Sequence, residues 1–237
     1  MTETISIYCP GNKFLLPYIK EQLKGVKITD VIEAAPAIMI SSCDIYGEGT
    51  KEMCDESCPT EAQSQWQTLE NNFTAQCGRT GAPFVILRCA DIIGTGMNGF
   101  ARSLANDIWR GTFLHFPGNE ARRSVVHASD IGRIVHAIAS DGMPASGTRT
   151  FNVSDGTDPM IHDIAEALAF RMANKRISTL STRPQQIIGR LLYGKKKMAA
   201  YTTTRTFSSA RLAQELNFRA TDTCRYMRTH IYDENSL

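Results

Sequence analysis

Short apolar runs alternating with amphipathic stretches predict an α/β fold with a mainly parallel sheet. Three observations carry that prediction. Ile5–Cys9, Ala37–Ser41, Pro83–Arg88 and Thr148–Val153 have strand length and are bounded by turn residues. Between them lie stretches with apolar residues at helical spacing. The chain has 237 residues, 42% hydrophobic and 21% charged, which supplies enough apolar material for one large domain with a buried core.

Each element follows from its local residues. Pro10-Gly11 breaks the first strand, Ile5–Cys9. Phe14 to Leu23 reads as a helix with Pro17 in its first turn, where a missing N–H is tolerated. The stretch from Ile28 to Ala35 is ambiguous, and Pro36 separates it from the strand Ala37–Ser41. That strand runs into ISSCDIYG, paired serines followed by a tyrosine and a glycine, and then into a polar loop, EGTKEMCDESCPTE. A helix is predicted over about Glu61 to Cys77, closed by Gly78. The strand Pro83–Arg88 leads to the turn Ile93-Gly-Thr-Gly96, and a helix over about Phe100 to Arg110 follows. Asp130 reads as the N-cap of a helix with Ile131, Ile134, Val135 and Ile138 on one face. After the strand Thr148–Val153, Ile161, Ile164, Ala165 and Leu168 share a helical face. Further helices are predicted at Pro184–Tyr193 and Ser208–Leu216, so the C-terminal third is the richer in helix.

Composition excludes several classes. A net charge of +2 is too weak to indicate nucleic acid as a partner. Lys195–Lys197 reads as a solvated helix end or loop. No run approaches the ~18 apolar residues of a membrane helix. The opening MTETISIYCPGNK lacks a basic region followed by an apolar one, so no secretory leader is expected. The seven cysteines are scattered, and Cys54 and Cys58 form a C-x3-C pair without a second pair. No metal site is expected from that spacing, and reduced thiols in a cytoplasmic protein are the expectation.

Six segments, in order, carry a resemblance. They are ISSCDIYG, Asp55-Glu56 with Pro59, VILRCADIIGTG (Val85–Gly96), RSVVHASD (Arg123–Asp130), TFNVSDG (Thr150–Gly156) and SSARLAQELNF (Ser208–Phe218). Together they resemble the extended short-chain dehydrogenase/reductases, the NAD-dependent sugar epimerases and dehydratases, over about residues 37–237. The resemblance implies a Rossmann-like doubly wound parallel sheet in a single domain, 1–237. Its small C-terminal substrate lobe comes mainly from about 90–125 and 155–237. The sheet is expected to be reduced at its N-terminal half. Only VKITDVIEAAP covers the gap between the first turn and Ser42, and a βαβ unit takes ~30 residues. Asp30 stands where an acid can hold a ribose, or else TDVIEAAP is the helix before the serine strand.

In that family catalysis rests on a serine or threonine, a tyrosine and a lysine. The tyrosine and lysine lie four apart on one helix and project to one face. The tyrosinate takes a proton from a sugar hydroxyl while hydride passes to NAD, and the lysine ammonium favours the phenolate. Ser42 matches the serine position. The helix that should carry the other two reads EAQSQWQTLENNF. Aligning Glu70 with the glutamate that follows the family motif puts Ala62 at tyrosine and Trp66 at lysine. A one-residue shift gives Gln63 and Gln67. No alignment is needed for a stronger statement: no tyrosine lies between Tyr46 and Tyr193, and no lysine between Lys51 and Lys175. None of the four substitutes is a general base near neutral pH.

The cofactor end departs in the same way. The family opens with a glycine-rich turn that lets backbone approach a pyrophosphate at a helix N-terminus. Here CPGNKFLLPYI places Pro10, Lys13 and Leu16 at the glycine positions. Gly11 and Lys13 are the remaining cofactor-binding candidates, and NAD(P) is implied only by the resemblance.

The substrate side keeps more. Arg123 matches the arginine that grips the nucleotide diphosphate, since a guanidinium fork suits phosphate. The alternative is a surface arginine paired with an acid such as Glu120. Asp91 stands where asparagine is usual and places a negative charge beside a diphosphate. Tyr46 and Arg88 complete the candidate substrate-binding set, with packing and loop-tying as their alternative roles. His127 reads as a fixed core or boundary histidine. It and Tyr193 are the candidates to replace the missing base.

Two function classes follow. One is a catalytically degenerate protein, a pseudoenzyme, that binds a nucleotide-sugar, another phosphate-bearing ligand or a protein partner. Trp66, Leu69 and Phe73 on the helix 61–77 offer a homodimer surface or a core-packing stripe. The other is an active epimerase, dehydratase or reductase on a nucleotide-linked sugar with altered catalytic residues. Its mark would be a tyrosine, histidine or carboxylate within hydrogen-bond reach of Ser42.

Overall fold

A computed structural model describes residues 4–24, 27–29, 36–141, 148–172, 175–179 and 185–229. The first half runs β1 (Thr4–Tyr8), α1 (Leu16–Gln22), β2 (Lys27–Thr29), β3 (Ala37–Ser42), β4 (Lys51–Cys54), α2 (Gln65–Thr80), β5 (Phe84–Cys89), β6 (Asp91–Ile93) and α3 (Gly99–Trp109). The second half runs β7 (Leu114–His115), β8 (Val125–His127), α4 (Ala128–Asp141), β9 (Thr148–Val153), α5 (Ile161–Arg171), β10 (Ser178–Thr179), α6 (Gln185–Thr202), β11 (Arg205–Phe207), α7 (Ala210–Glu215) and α8 (Thr223–Thr229).

Five strands form one parallel sheet in the order β2-β1-β3-β5-β9. Successive side chains point to opposite faces, and both faces are covered. Ile5, Ile7, Ile38, Ile40, Val85 and Leu87 meet Ile19 of α1 and Ile131, Ile134 and Val135 of α4. Ala37, Met39, Phe84 and Ile86 meet Phe73 and Cys77 of α2 on the other side. The sheet is therefore doubly wound. This two-sided burial is why its central strands read as unbroken apolar runs. One strand, β2, lies beyond β1 among the described residues, as the short N-terminal half requires. Strand order reverses between β1 and β3, which opens a crevice at their C-terminal ends.

A second apolar cluster joins α3, α5, α6 and α8 through Leu104, Ile108, Ile164, Leu168, Tyr201 and Met227. The faces of α1 and α4 meet closely because Gly132 has no side chain: a Cβ there would lie 2.5 Å from the Tyr18 carbonyl oxygen.

Several boundaries differ from the sequence expectation. Helix α2 starts at Gln65, because Ser64 Oγ accepts the Gln67 N–H at 3.0 Å while Glu61 N–H donates to Ile45 O at 2.8 Å. It ends at Gly81, whose φ is +69°, so Gly78 lies inside the helix. Asp130 is not an N-cap. Helix α4 begins at Ala128, and the buried Asp130 carboxylate accepts Thr221 N–H at 2.7 Å and Arg133 Nη1 at 2.6 Å. The helix expected to end at Tyr193 continues to Thr202 through a break at Gly194, whose φ is +73°. Cys54 and Cys58 are paired as a disulfide, against the expectation of reduced thiols; the other described cysteines are free. Lys197 is not simply solvated: its Nζ donates to Asp107 at 2.6 Å, whereas Lys196 is exposed. Asp30, the rest of 30–35 and Pro184 lie outside the described residues. Among the described residues no helix is long and apolar enough to cross a membrane.

Candidate functional site

The parallel strands deliver their C-terminal residues to one edge of the sheet. There, beside the β1/β3 switch point, a cleft of about 300 Å³ is lined by Asn12, Ser42, Trp66, Asp91, Asn98 and Arg123 among others. This is the small end of the ~300–1,000 Å³ range of ligand pockets.

Ser42 lines this cleft but has no proton partner in it. Its Oγ accepts the Asp44 N–H at 3.0 Å, capping a short 3-10 turn, Cys43–Tyr46. Among the described residues no tyrosine, histidine or carboxylate hydrogen-bonds its side chain. Ala62 and Gln63, the two registers for the family tyrosine, precede α2 altogether. Trp66, at the lysine register, lines the cleft with its indole, and Gln67 donates to Asn71 on the outside of the helix at 3.0 Å.

The neighbouring serine does have a partner, which the sequence reading used only as an alignment mark. Ser41 Oγ donates to Glu70 Oε1 at 2.6 Å, and both residues are buried. Arg88 donates to the same carboxylate from Nε at 3.1 Å and Nη2 at 2.8 Å. Its Nη1 donates to the Tyr46 hydroxyl at 3.0 Å, which donates to Asn152 Oδ1 at 2.7 Å. The network ties the ends of β3, β5 and β9 to α2. Tyr46 and Arg88, expected at the substrate, are committed to it and do not line the cleft. Burial raises the Tyr46 phenol above its ordinary range, against the pull of Arg88, so near neutral pH it is a donor rather than a base. A sequence signal for the network existed: a glutamate at the sixth position of a helix opposite an arginine closing a strand. Only the fold brings the two together.

The β1–α1 turn holds Gly11 with a φ of +74° and open space above it. Lys13 is exposed in the 3-10 turn Lys13–Leu15. Asn12 N–H donates to Cys9 O at 3.2 Å, Leu15 N–H to Asn12 O at 3.0 Å, and Pro17 has no N–H to offer. Asn98 bridges to the turn, donating from Nδ2 to Gly11 O at 2.7 Å and Asn12 Oδ1 at 3.0 Å. A pyrophosphate cradle needs side-chain-free backbone and amides aimed outward at a helix N-terminus. With Pro10, Lys13 and Leu16 in those places, this turn does not fit that form of dinucleotide site.

Arg123 is buried, and its Nε donates to the Asp91 carboxylate. Its guanidinium lies 3.8 Å from the Phe100 ring centroid, and Nη1 reaches Ala200 O at 3.4 Å. Its acid is therefore Asp91 rather than Glu120. His127 is buried, with Nδ1 2.6 Å from Ser129 Oγ and its ring against Tyr226. Tyr193 is clamped beside β7, accepting Leu114 N–H at 2.7 Å and donating to Thr112 O at 2.6 Å. Neither candidate base lines the cleft. Of the dimer stripe on α2, Phe73 is buried between Tyr8 and Phe84, and Trp66 and Leu69 pack partly buried against the same cluster. The stripe packs on the sheet, with Phe73 fully inside and Trp66 and Leu69 keeping part of their surface open.

The profile of the NAD dependent epimerase/dehydratase family matches residues 16–154. No sequence among curated proteins matches. Among solved structures, the UDP-N-acetylglucosamine 4-epimerase of Bacillus cereus superposes with a TM-score of 0.65 at 11% identity, covering 95% of this chain and 97% of that one. The UDP-glucose 4-epimerase of Thermus thermophilus, in complex with NAD, gives 0.63 at 15% identity, covering 95% and 96%. RMD from Pseudomonas aeruginosa, complexed with NADPH, gives 0.58 at 15% identity, covering 84% and 65%. At these identities the structural likeness is one of fold.

Proposed function

Starting from a chain that belongs to the NAD-dependent epimerase/dehydratase family, we propose that it is a catalytically degenerate member. It acts by binding a ligand or a protein partner in and around the cleft at the β1/β3 crevice. The observation that carries this reading is the surroundings of Ser42. Its hydroxyl accepts a backbone N–H, no tyrosine, histidine or carboxylate among the described residues hydrogen-bonds it, and the two carboxylates that share the cleft, Asp44 and Asp91, are each held by an arginine.

In the family, NAD(P) supplies a hydride acceptor when bound. The residues of this chain contribute little toward using one. Ser42 caps a turn, Trp66, at one register for the family lysine, lines the cleft, and Tyr46 is locked between Arg88 and Asn152. The altered-enzyme alternative needs a replacement base, and His127 and Tyr193 are both engaged away from the cleft.

Calorimetric titration with NAD(H) and NADP(H), followed by UDP- and dTDP-sugars, tests the proposal. No saturable dinucleotide binding is expected, and no NAD-dependent conversion of any of the sugars. Saturable binding accompanied by turnover would sink it.

A further inference from the structure

The charges in the cleft say what kind of ligand it takes. Among the described lining residues the one cation is Arg123, and the acids are Asp44 and Asp91. Arg123 is already neutralised by Asp91, through an ion pair whose side chains are 7% and 22% exposed. Asp44 is more open, and Arg205 Nη1 holds one of its oxygens at 3.0 Å from outside the cleft lining. An anion entering the cleft meets two carboxylates and no available cation. The guanidinium cannot simply turn toward a ligand, because it is stacked on Phe100 and tied to Ala200 O.

What the lining does offer is different. Trp66 and Phe100 supply aromatic surface, and Ser42, Asn98 and the carboxylates supply hydrogen-bonding groups. We infer that the cleft binds an uncharged polyhydroxylated ligand, a free sugar or an unphosphorylated nucleoside, and that Asp91 is the specificity-determining residue that excludes phosphates. This rests on the ligand-binding reading above. It goes further by assigning the Arg123–Asp91 pair a role in rejecting anions: the carboxylate of Asp91 occupies the position in which a phosphate oxygen would be received by Arg123.

The test compares glucose, uridine, UDP and inorganic phosphate by ligand-observed NMR and calorimetry on the full chain. Wild-type protein is expected to bind glucose or uridine and to bind UDP about tenfold or more weakly than uridine. Glucose and uridine, run separately, distinguish the two sources of hydroxyl groups. Asp91→Asn keeps the side-chain shape and leaves the charge of Arg123 uncompensated, so UDP should become the tighter ligand. The double variant Asp91→Asn/Arg123→Gln should lose that gain. Should Asp91→Asn fail to fold, the order of affinities in the wild type alone decides. Tighter binding of UDP than uridine by the wild type, or no binding of either neutral probe, overturns the inference. So does a folded Asp91→Asn protein with unchanged preference. These outcomes are separate from the failure of the non-catalytic reading, which would appear as NAD-dependent turnover whatever the order of affinities.

Discussion

Glu70 of α2 and Arg88 of β5 form a two-point ion pair beneath the serine strand, with N–O distances of 3.1 and 2.8 Å. Eighteen residues separate them, and their side chains are 5% and 11% exposed. Breaking such a pair strands the remaining charge, which costs about 3–5 kcal/mol, whereas replacing both partners by apolar groups is far milder. Glu70→Gln and Arg88→Met should each lower unfolding free energy by that amount in urea titration. The double variant Glu70→Leu/Arg88→Met should lie closer to wild type than either single one. Additive losses would refute the coupling.

Gly132 and Gly78 should respond oppositely to alanine. At Gly132 the added methyl meets the Tyr18 carbonyl oxygen at 2.5 Å, so α1 and α4 must separate, at about 1–3 kcal/mol. Gly78 sits within α2 with open space around it, so alanine should stabilise by roughly 0.5–1 kcal/mol through helix propensity. Thermal denaturation of the two variants checks both signs. A destabilised Gly78→Ala would mean that α2 ends there, as the sequence alone suggested.

Tyr193 should govern part of the alkaline stability. Its phenol is pushed up to about 12, chiefly by burial. The folded value lies above the ordinary value of about 10. Its stabilising contribution is therefore complete below pH ~10 and lost as pH rises through about 12. Tyr193→Phe should flatten stability across that window, and should cost about 0.5–1.5 kcal/mol at neutral pH through the lost bonds to Leu114 N–H and Thr112 O, which lie near enough to the surface for water to replace their partner. Chemical denaturation at neutral pH and in alkaline buffers distinguishes the two effects. A slope between about pH 10 and about pH 12 that is identical in the variant would assign it to another group.

The two tryptophans should report on different surfaces. Trp109 is 57% exposed, while Trp66 is partly buried at the cleft. The Trp109→Phe protein, which keeps Trp66, should emit at shorter wavelength than Trp66→Phe. Only the emission of Trp109→Phe should change when a ligand enters the cleft. A ligand response confined to Trp109 would move the binding site elsewhere.

How much was legible without coordinates depends on whether the signal was local. The strands Ala37–Ser42 and Phe84–Cys89 were legible because burial on both faces leaves an unbroken apolar run. The face of α4 was legible because 3.6-residue spacing aligns Ile131, Ile134 and Val135. Its first residue was not, because Asp130 turns to Thr221, ninety-one positions away, instead of capping its own helix. Likewise the start of α2 was decided by a competition between Ser64 and Glu61, which the backbone bond from Glu61 to Ile45 settled.

The sequence by itself determined what is missing from the site. The absence of tyrosine from 47–192 and of lysine from 52–174 holds in any register, because residue identity needs no geometry. Tertiary structure alone decided what the remaining polar residues do. Ser41 rather than Ser42 received the carboxylate, Tyr46 and Arg88 turned inward, and Arg123 closed on Asp91. The physical reason is that a buried charge or hydroxyl must find a partner, and partners here are brought by strand order and helix packing from positions that share no local pattern.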